Sequence, residues 1–262
     1  MKPDALDLGR LLADLIPLVR EAGRVVMGVY ETDFDVETKG DDSPVTAADR
    51  LAEAVILAGL RQLTPAIPVV AEEASSDGDT PDVNACFWLV DPVDGTKEFV
   101  NRNGEFTVNV ALVGDGRPVL GLVFAPALGR LFFGAEGVGA WVDDAQGRRA
   151  IEARVAPDDG LTVVGSRWHG DDDAVDAFLA GRTIAARRTV GSSLKLCLVA
   201  EGAADVYPRF GRTMEWDIAA GDAVLRAAGG RVATIAGAVM RYGKPGFENP
   251  AFAAWGKATP GA

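Results

Sequence analysis

Asp91-Pro92-Val93-Asp94-Gly95-Thr96 sets two carboxylates three residues apart at the end of the apolar run Phe87-Trp88-Leu89-Val90. A type I turn with Asp and Gly in their favoured places would explain that spelling. A metal site would explain it too. Pro92 restricts the backbone, so the Val93 carbonyl can point the same way as both acids, and three hard oxygens of this kind suit Mg²⁺. Glu72-Glu73 repeats the arrangement after the apolar residues 68–71. Asp217, in Met214-Glu215-Trp216-Asp217, has the ordinary reading of a helix N-cap. Taken singly, each acid is a solvated turn or a cap. Together, four carboxylates from distant stretches would repel one another in a single cleft unless cations neutralised them. Thr46-x-x-Asp49 fits a capping box. Asp49 is also a candidate acceptor for the Thr96 hydroxyl, which would let Thr96 orient a water beside the metal.

The chain has 262 residues, with 38 acids against 26 bases and a formal charge of −12. Such a surface repels nucleic-acid backbones and anionic membranes. It would also repel a phosphorylated metabolite, and the cations would resolve that conflict. Cys86 and Cys197 lie far apart in apolar surroundings and read as reduced, buried thiols. The one histidine, His169, excludes a histidine-rich zinc centre, and neither Gly-x-Ser-x-Gly nor Gly-x₄-Gly-Lys-Ser/Thr is present. Asp4, Asp7, Arg10, Asp14, Arg20 and Glu21 interrupt the apolar N-terminal run. That argues against a secretory signal and against a transmembrane helix. The expected location is the cytoplasm, with peripheral attachment to the inner membrane as the variant; monomer and homodimer both stay open.

The elements that must position these residues follow from periodicity. Leu8, Leu11, Leu12, Leu15, Val19 and Ala22 recur at helical spacing. A strand is expected from Phe34 to Thr38, a helix over 46–63, a short buried strand over 68–71 and another at 87–90. Glycine-punctuated strands follow at 107–113, 119–124 and 131–133, with hairpins to 149. From about residue 155 strand and helix alternate. Strands are expected at 161–164 and up to 190, and helices over 172–179, 193–202 and 217–228. This predicts an α+β lobe with a mostly antiparallel sheet over 1–154, and an α/β lobe over 155–262 that completes the metal site and binds the ligand.

The stretch WLVDPVDGTKEF (residues 88–99) resembles the first signature of the inositol monophosphatase-like superfamily, and EWDIAAG (215–221) followed by AGG (228–230) resembles the second. With Glu72-Glu73 and Thr46–Asp49 the likeness spans essentially the whole chain. It implies a two-lobed sugar-phosphatase fold in αβαβα layers. It also implies two or three Mg²⁺ ions. The first would be held by Glu72, Asp91 and the Val93 carbonyl, the second by Asp91, Asp94 and Asp217, and a weaker third would be shared with Glu72. Thr96 with Asp49 would take part in deprotonating the attacking water, and Glu73 would support the ligands or their waters. Inhibition by Li⁺ is a further implication.

KEF (97–99) and RNGEFTVN (102–109) narrow the resemblance to the 3′(2′),5′-bisphosphate nucleotidases of sulfur assimilation, as do GSSLK (191–195) and ADVYPR (204–209). The substrate implied is adenosine 3′,5′-bisphosphate, cleaved to AMP and phosphate. Ser192, Lys195 and Arg209 would hold the nucleotide and its 5′-phosphate, with Gly191 ahead of them, and His169 would lie beside the nucleoside. Gly95, Thr96 and Asp217 would touch it near the reacting phosphate. Free N–H groups at a loop before a helix suit an anion, and an arginine fork binds phosphate in bidentate fashion. Trp168 stands where the family commonly has serine. The rival readings are a phosphatase for inositol phosphate, histidinol phosphate or fructose bisphosphate, and a catalytically silent nucleotide-binding protein.

Overall fold

The computed structural model describes residues 6–38, 44–167 and 172–257. Helix α1 (Leu8–Tyr30) starts at Asp7, whose carboxylate accepts the Arg10 N–H at 3.0 Å. Of the stripe its spacing predicts, Leu11, Leu12, Leu15, Val19 and Ala22 are buried and Leu8, in the first turn, is half-buried. The expected strand from Phe34 shrinks to β1 (Glu37–Thr38), paired with β2 (Pro44–Val45), because Phe34 instead packs on the ring of Phe99. Helix α2 (Ala47–Leu63) lies against α1.

A seven-stranded sheet follows in chain order: β3 (Val69–Ala71), β4 (Cys86–Asp94), β5 (Thr107–Gly114), β6 (Arg117–Ala125), β7 (Arg130–Ala135), β8 (Gly139–Asp144) and β9 (Gly147–Ala150). Only β3 and β4 run parallel; every other neighbouring pair is antiparallel. Two single-turn helices interrupt the run, α3 (Glu72–Ser76) after β3 and α4 (Thr96–Val100) after β4. Alternation divides β4 between two cores. Cys86, Trp88 and Val90 face the side of α1 and α2, and Phe87 and Leu89 face the other side. Continuous burial of both faces explains why these strands read as unbroken apolar runs.

The rest of the chain comprises β10 (Leu161–Gly165), α5 (Asp172–Leu179), β11 (Ile184–Thr189), α6 (Leu194–Ala200), β12 (Val206–Arg209), α7 (Glu215–Ala227), β13 (Arg231–Thr234) and β14 (Phe252–Trp255). The sheet order is β11-β10-β12-β14-β13, with β10, β11 and β12 parallel and β14 antiparallel to both its neighbours. Strands β12, β13 and β14 carry no alternation long enough to be read from sequence, at four residues each.

Helices α6 and α7 lie between the two sheets, within one apolar core that includes Leu89, Val123, Leu196, Val224 and Phe252. On the far side of the second sheet, Leu179, Val175 and Phe178 of α5 cover Leu161, Val163 and Val206. The layers are therefore α1/α2, sheet, α6/α7, sheet, α5, the αβαβα sandwich expected. Gly121 of β6 sets the height of the middle layer. A Cβ there would lie 2.3 Å from the Ala220 carbonyl oxygen, so only glycine lets the α7 backbone rest on the sheet.

Candidate active site

The two acids of the Asp91–Asp94 segment share a face because β4 carries a β-bulge. Asp91 pairs with Asn109 and Asp94 with Thr107, so three steps on β4 span two on β5. In a regular strand, residues three apart point to opposite faces. The extra residue turns Asp94 back onto the α7 side, and the Val93 side chain goes into the α1/α2 core. Asp94 Oδ2 then accepts the Ser193 N–H at 2.5 Å and lies near Asn109 Nδ2 and Thr107 Oγ1, at 3.4 and 3.5 Å. Gly95 follows in the left-handed region (φ +87°), which takes the chain out of the strand and into α4.

Parallel pairing of Ala71 with Val90 brings the next residues, Glu72 and Asp91, level with each other. Glu53 fixes the turn that carries Glu72: its two carboxylate oxygens accept the Glu73 and Ala74 N–H groups, both at 2.9 Å. Glu73 itself is buried and is not part of the cleft lining.

Asp217 departs from the N-cap expectation. Helix α7 begins at Glu215, which makes Asp217 its third residue, and Asp217 Oδ2 reaches back to accept the Met214 N–H at 2.8 Å. The Thr46–Asp49 capping box forms as expected, with Asp49 Oδ2 accepting both the N–H and the hydroxyl of Thr46 at 2.8 Å. The Thr96 hydroxyl has a partner of its own. A hydroxyl has one proton to donate, and that of Thr96 goes to the Val93 carbonyl at 3.3 Å.

These segments bound a cleft of about 290 Å³. Its lining combines the acids Glu72, Asp91, Asp94 and Asp217, with Thr96, and a second group made of Ser192, Lys195, Tyr207 and Arg209. Gly95 is also in the lining, where a Cβ would come within 3.2 Å of the Ser192 Cβ. Gly191, just ahead of Ser192, gives its N–H to Glu105 at 2.8 Å. His169 and Trp168 fall outside the described residues.

The acidic group is electrostatically strained. Burial first, then the charges of Glu72, Asp94 and Asp217, hold Asp91 well above the ordinary carboxylate range. Asp217 is raised likewise, by burial and then by Asp94 and Glu72. Asp94 is pushed up to about 6, mainly by burial, against the opposing pull of Lys195. Among the described residues no three of these acids stand in ready ligand geometry around one point. A cation would offset the charge that these acids carry together. The donor set is four carboxylates with one adjacent carbonyl and no imidazole or thiolate, which fits a hard divalent ion.

The second group in the lining is cationic. Lys195 is buried, its ammonium donates to the Ser192 and Val190 carbonyls at 2.6 and 3.2 Å, and it stands 5.3 Å from the Tyr207 ring centre. Burial above all lowers its pKa to about 8. Arg209 is 6% exposed and gives Nη2 to the Arg212 carbonyl at 3.1 Å. Its Nε is buried without a hydrogen-bond partner among the described residues. A buried guanidinium N–H left over beside a cleft is a vacancy for an anion's oxygen.

A stability prediction follows from Asp94. Its folded pKa of about 6 lies above the ordinary 3.8, so the stability it contributes is complete below the lower value and lost as pH rises through the upper one. That single group represents about 3 kcal/mol. Asp144, held down to about 2 by Arg149, has delivered its contribution before this window begins. The thermal midpoint in chelator should therefore fall between about pH 4.5 and 6.5, and saturating Mg²⁺ should flatten the curve. Parallel curves with and without the ion would refute the metal reading of the cleft.

The polar partners of the acids escaped the sequence reading. Thr107 and Asn109 stand opposite Asp94 and Asp91, and Ser193 Oγ bridges Asn109 Oδ1 and Thr107 Oγ1 at 2.8 and 3.0 Å. Their signal was available as two polar residues at strand spacing between Phe106, Val108 and Val110. Glu98, buried at the cleft, was marked only as part of KEF (97–99), with no role attached to it.

The family model of the inositol monophosphatase family matches residues 7–258. A Salmonella typhimurium LT2 protein named 3′(2′),5′-bisphosphate nucleotidase CysQ is 47% identical over 245 residues, covering 92% of this chain and 98% of the relative. Among solved structures, CysQ of Bacteroides thetaiotaomicron, described as a bacterial member of that family, superposes with a TM-score of 0.78 at 36% identity over 95% of this chain and 97% of that one. An inositol monophosphatase from Thermotoga maritima gives 0.79 at 27% identity, over 94% and 92%.

Proposed function

The chain belongs to the inositol monophosphatase family and is a phosphoric monoester hydrolase, and from that premise we propose that it removes the 3′-phosphate of adenosine 3′,5′-bisphosphate, leaving AMP. The observation that carries the substrate assignment is the Arg209 Nε, buried in the lining of the same cleft as Lys195 and without a hydrogen-bond partner among the described residues. A monoester with one phosphate would engage the acidic group alone. A second phosphate gives the buried cations a counter-charge.

In this reading Glu72, Asp91, the Val93 carbonyl, Asp94 and Asp217 hold two or three Mg²⁺ ions. When bound, such ions acidify a water and offset the charge that develops on the leaving oxygen. Thr96, at the start of α4, orients the attacking water, with Asp49 as proton acceptor once the Thr96 hydroxyl turns from Val93. Ser192, Lys195 and Arg209 fix the 5′-phosphate, and His169 lies beside the nucleoside. The reacting bond is thereby held over the acids. Among the described residues no helix is long and apolar enough to cross a membrane, and a cytoplasmic site of action is part of the same proposal.

Phosphate release from adenosine 3′,5′-bisphosphate, adenosine 3′-monophosphate, inositol 1-phosphate, histidinol phosphate and fructose 1,6-bisphosphate, with Mg²⁺ and with chelator, tests it. The expected result is Mg²⁺-dependent turnover with kcat/KM for the bisphosphate at least about tenfold above the others. Equal or greater efficiency on any of the others would refute the assignment.

A further inference from the structure

We propose that Glu105 is a positioning residue for the phosphate that is not hydrolysed; this rests on the reading above that the cleft takes a doubly phosphorylated nucleoside. Glu105 lies between α4 and β5, in the half of the molecule built on the seven-stranded sheet. Its carboxylate reaches into the other half at two points. Oε2 accepts the Gly191 N–H at 2.8 Å and stands 3.0 Å from Arg167 Nη1. Glu105 is itself held from behind, its N–H donating to Asn103 Oδ1 at 2.9 Å.

What it grips is the loop that carries the cationic group of the lining. Ser192 follows Gly191 with φ +50°, a conformation costly for a side-chain-bearing residue, so something must impose it. The Ser192 carbonyl in turn anchors the Lys195 ammonium at 2.6 Å. Gly191 is pressed so close that a Cβ would meet Glu98 Cγ at 2.5 Å and the Glu105 carbonyl oxygen at 2.8 Å. The far end of the loop is secured separately, through Ser193 Oγ to Asn109 and Ser193 N–H to Asp94. Glu105 therefore sets the Gly191–Ser192 end alone, and with it the place of Ser192 and Lys195, while the acidic group keeps its own supports. The alternative role is a plain ion pair with Arg167. Both partners are partly solvated, with side chains 33% and 23% exposed, and such pairs contribute little.

The test compares the full-length wild type with Glu105→Ala and Glu105→Gln on adenosine 3′,5′-bisphosphate and adenosine 3′-monophosphate, with the thermal midpoint read alongside. Glu105→Ala should lower kcat/KM for the bisphosphate about tenfold through KM, and change the monophosphate less than about threefold. Glu105→Gln keeps an acceptor for the Gly191 N–H and should recover to within about threefold of wild type. Should the alanine variant not fold, Glu105→Met, of similar volume and without a good acceptor, carries the same comparison. Equal losses on both substrates, an unchanged bisphosphate KM, or a glutamine variant as impaired as alanine would overturn the inference. A wild type that does not prefer the bisphosphate would instead overturn the nucleotidase reading, visible before any variant is made, and this inference with it.

Discussion

Asp94→Asn should lose at least about 10³-fold in kcat and at the same time gain thermal stability in metal-free buffer. The two effects have one cause. Asp94 is held at the cleft by the bulge in β4, within the field of Glu72 and Glu98 and opposite Lys195. Asparagine keeps the shape, and its carbonyl can still accept the Ser193 N–H, but it cannot supply the charge that a divalent ion needs. The charge whose burial raises the group's pKa to about 6 disappears as well. Near pH 7.5 the relief of about 3 kcal/mol corresponds to a rise of about 5 °C or more in the thermal midpoint. Phosphate release and calorimetry on the same sample decide the matter. Retention of more than a tenth of wild-type turnover, or a lowered midpoint without metal, would remove Asp94 from the catalytic set.

Arg209→Met should divide kcat/KM for the bisphosphate by roughly 100, leaving adenosine 3′-monophosphate within about fivefold of wild type. The size reflects the loss of one or two charge-assisted hydrogen bonds in a buried place. Methionine fills the volume of the side-chain stem, so packing against β12 neighbours survives. Arg209→Lys should recover only part of the loss, because an ammonium cannot present the fork that reaches both the Arg212 carbonyl and an anion. A variant equally impaired on both substrates would place Arg209 at the reacting phosphate instead.

Much of this site was legible in the residues, and the reason is local. The capping box needs only Thr46 and Asp49, and both sheet faces around Trp88 and Leu89 are buried, so spelling and structure agree. The family signatures supplied the convergence of Glu72, Asp91, Asp94 and Asp217, which no local rule predicts. What could not be read depends on register. That Asp94 faces α7 is decided by one extra residue against β5, and the partnership of Asp91 with Asn109 by a pairing across the hairpin. The start of α7 two residues earlier than expected reflects Glu215, whose carboxylate is drawn to the Gly243 and Lys244 N–H groups and not to the cleft. The four-residue strands at 206–209, 231–234 and 252–255 owe their form to one another, and a lone segment of that length carries no period.

Helix α7 joins consequences that are usually kept apart. Its first turn carries Asp217 and its body rests on Gly121 of one sheet while sharing a core with the strands of the other. Neither sheet therefore has an inner surface of its own to close. Any partial melting that lifted α7 would take Asp217 away from the other three acids in the same event, so ion occupancy and the cooperativity of unfolding are linked through one helix.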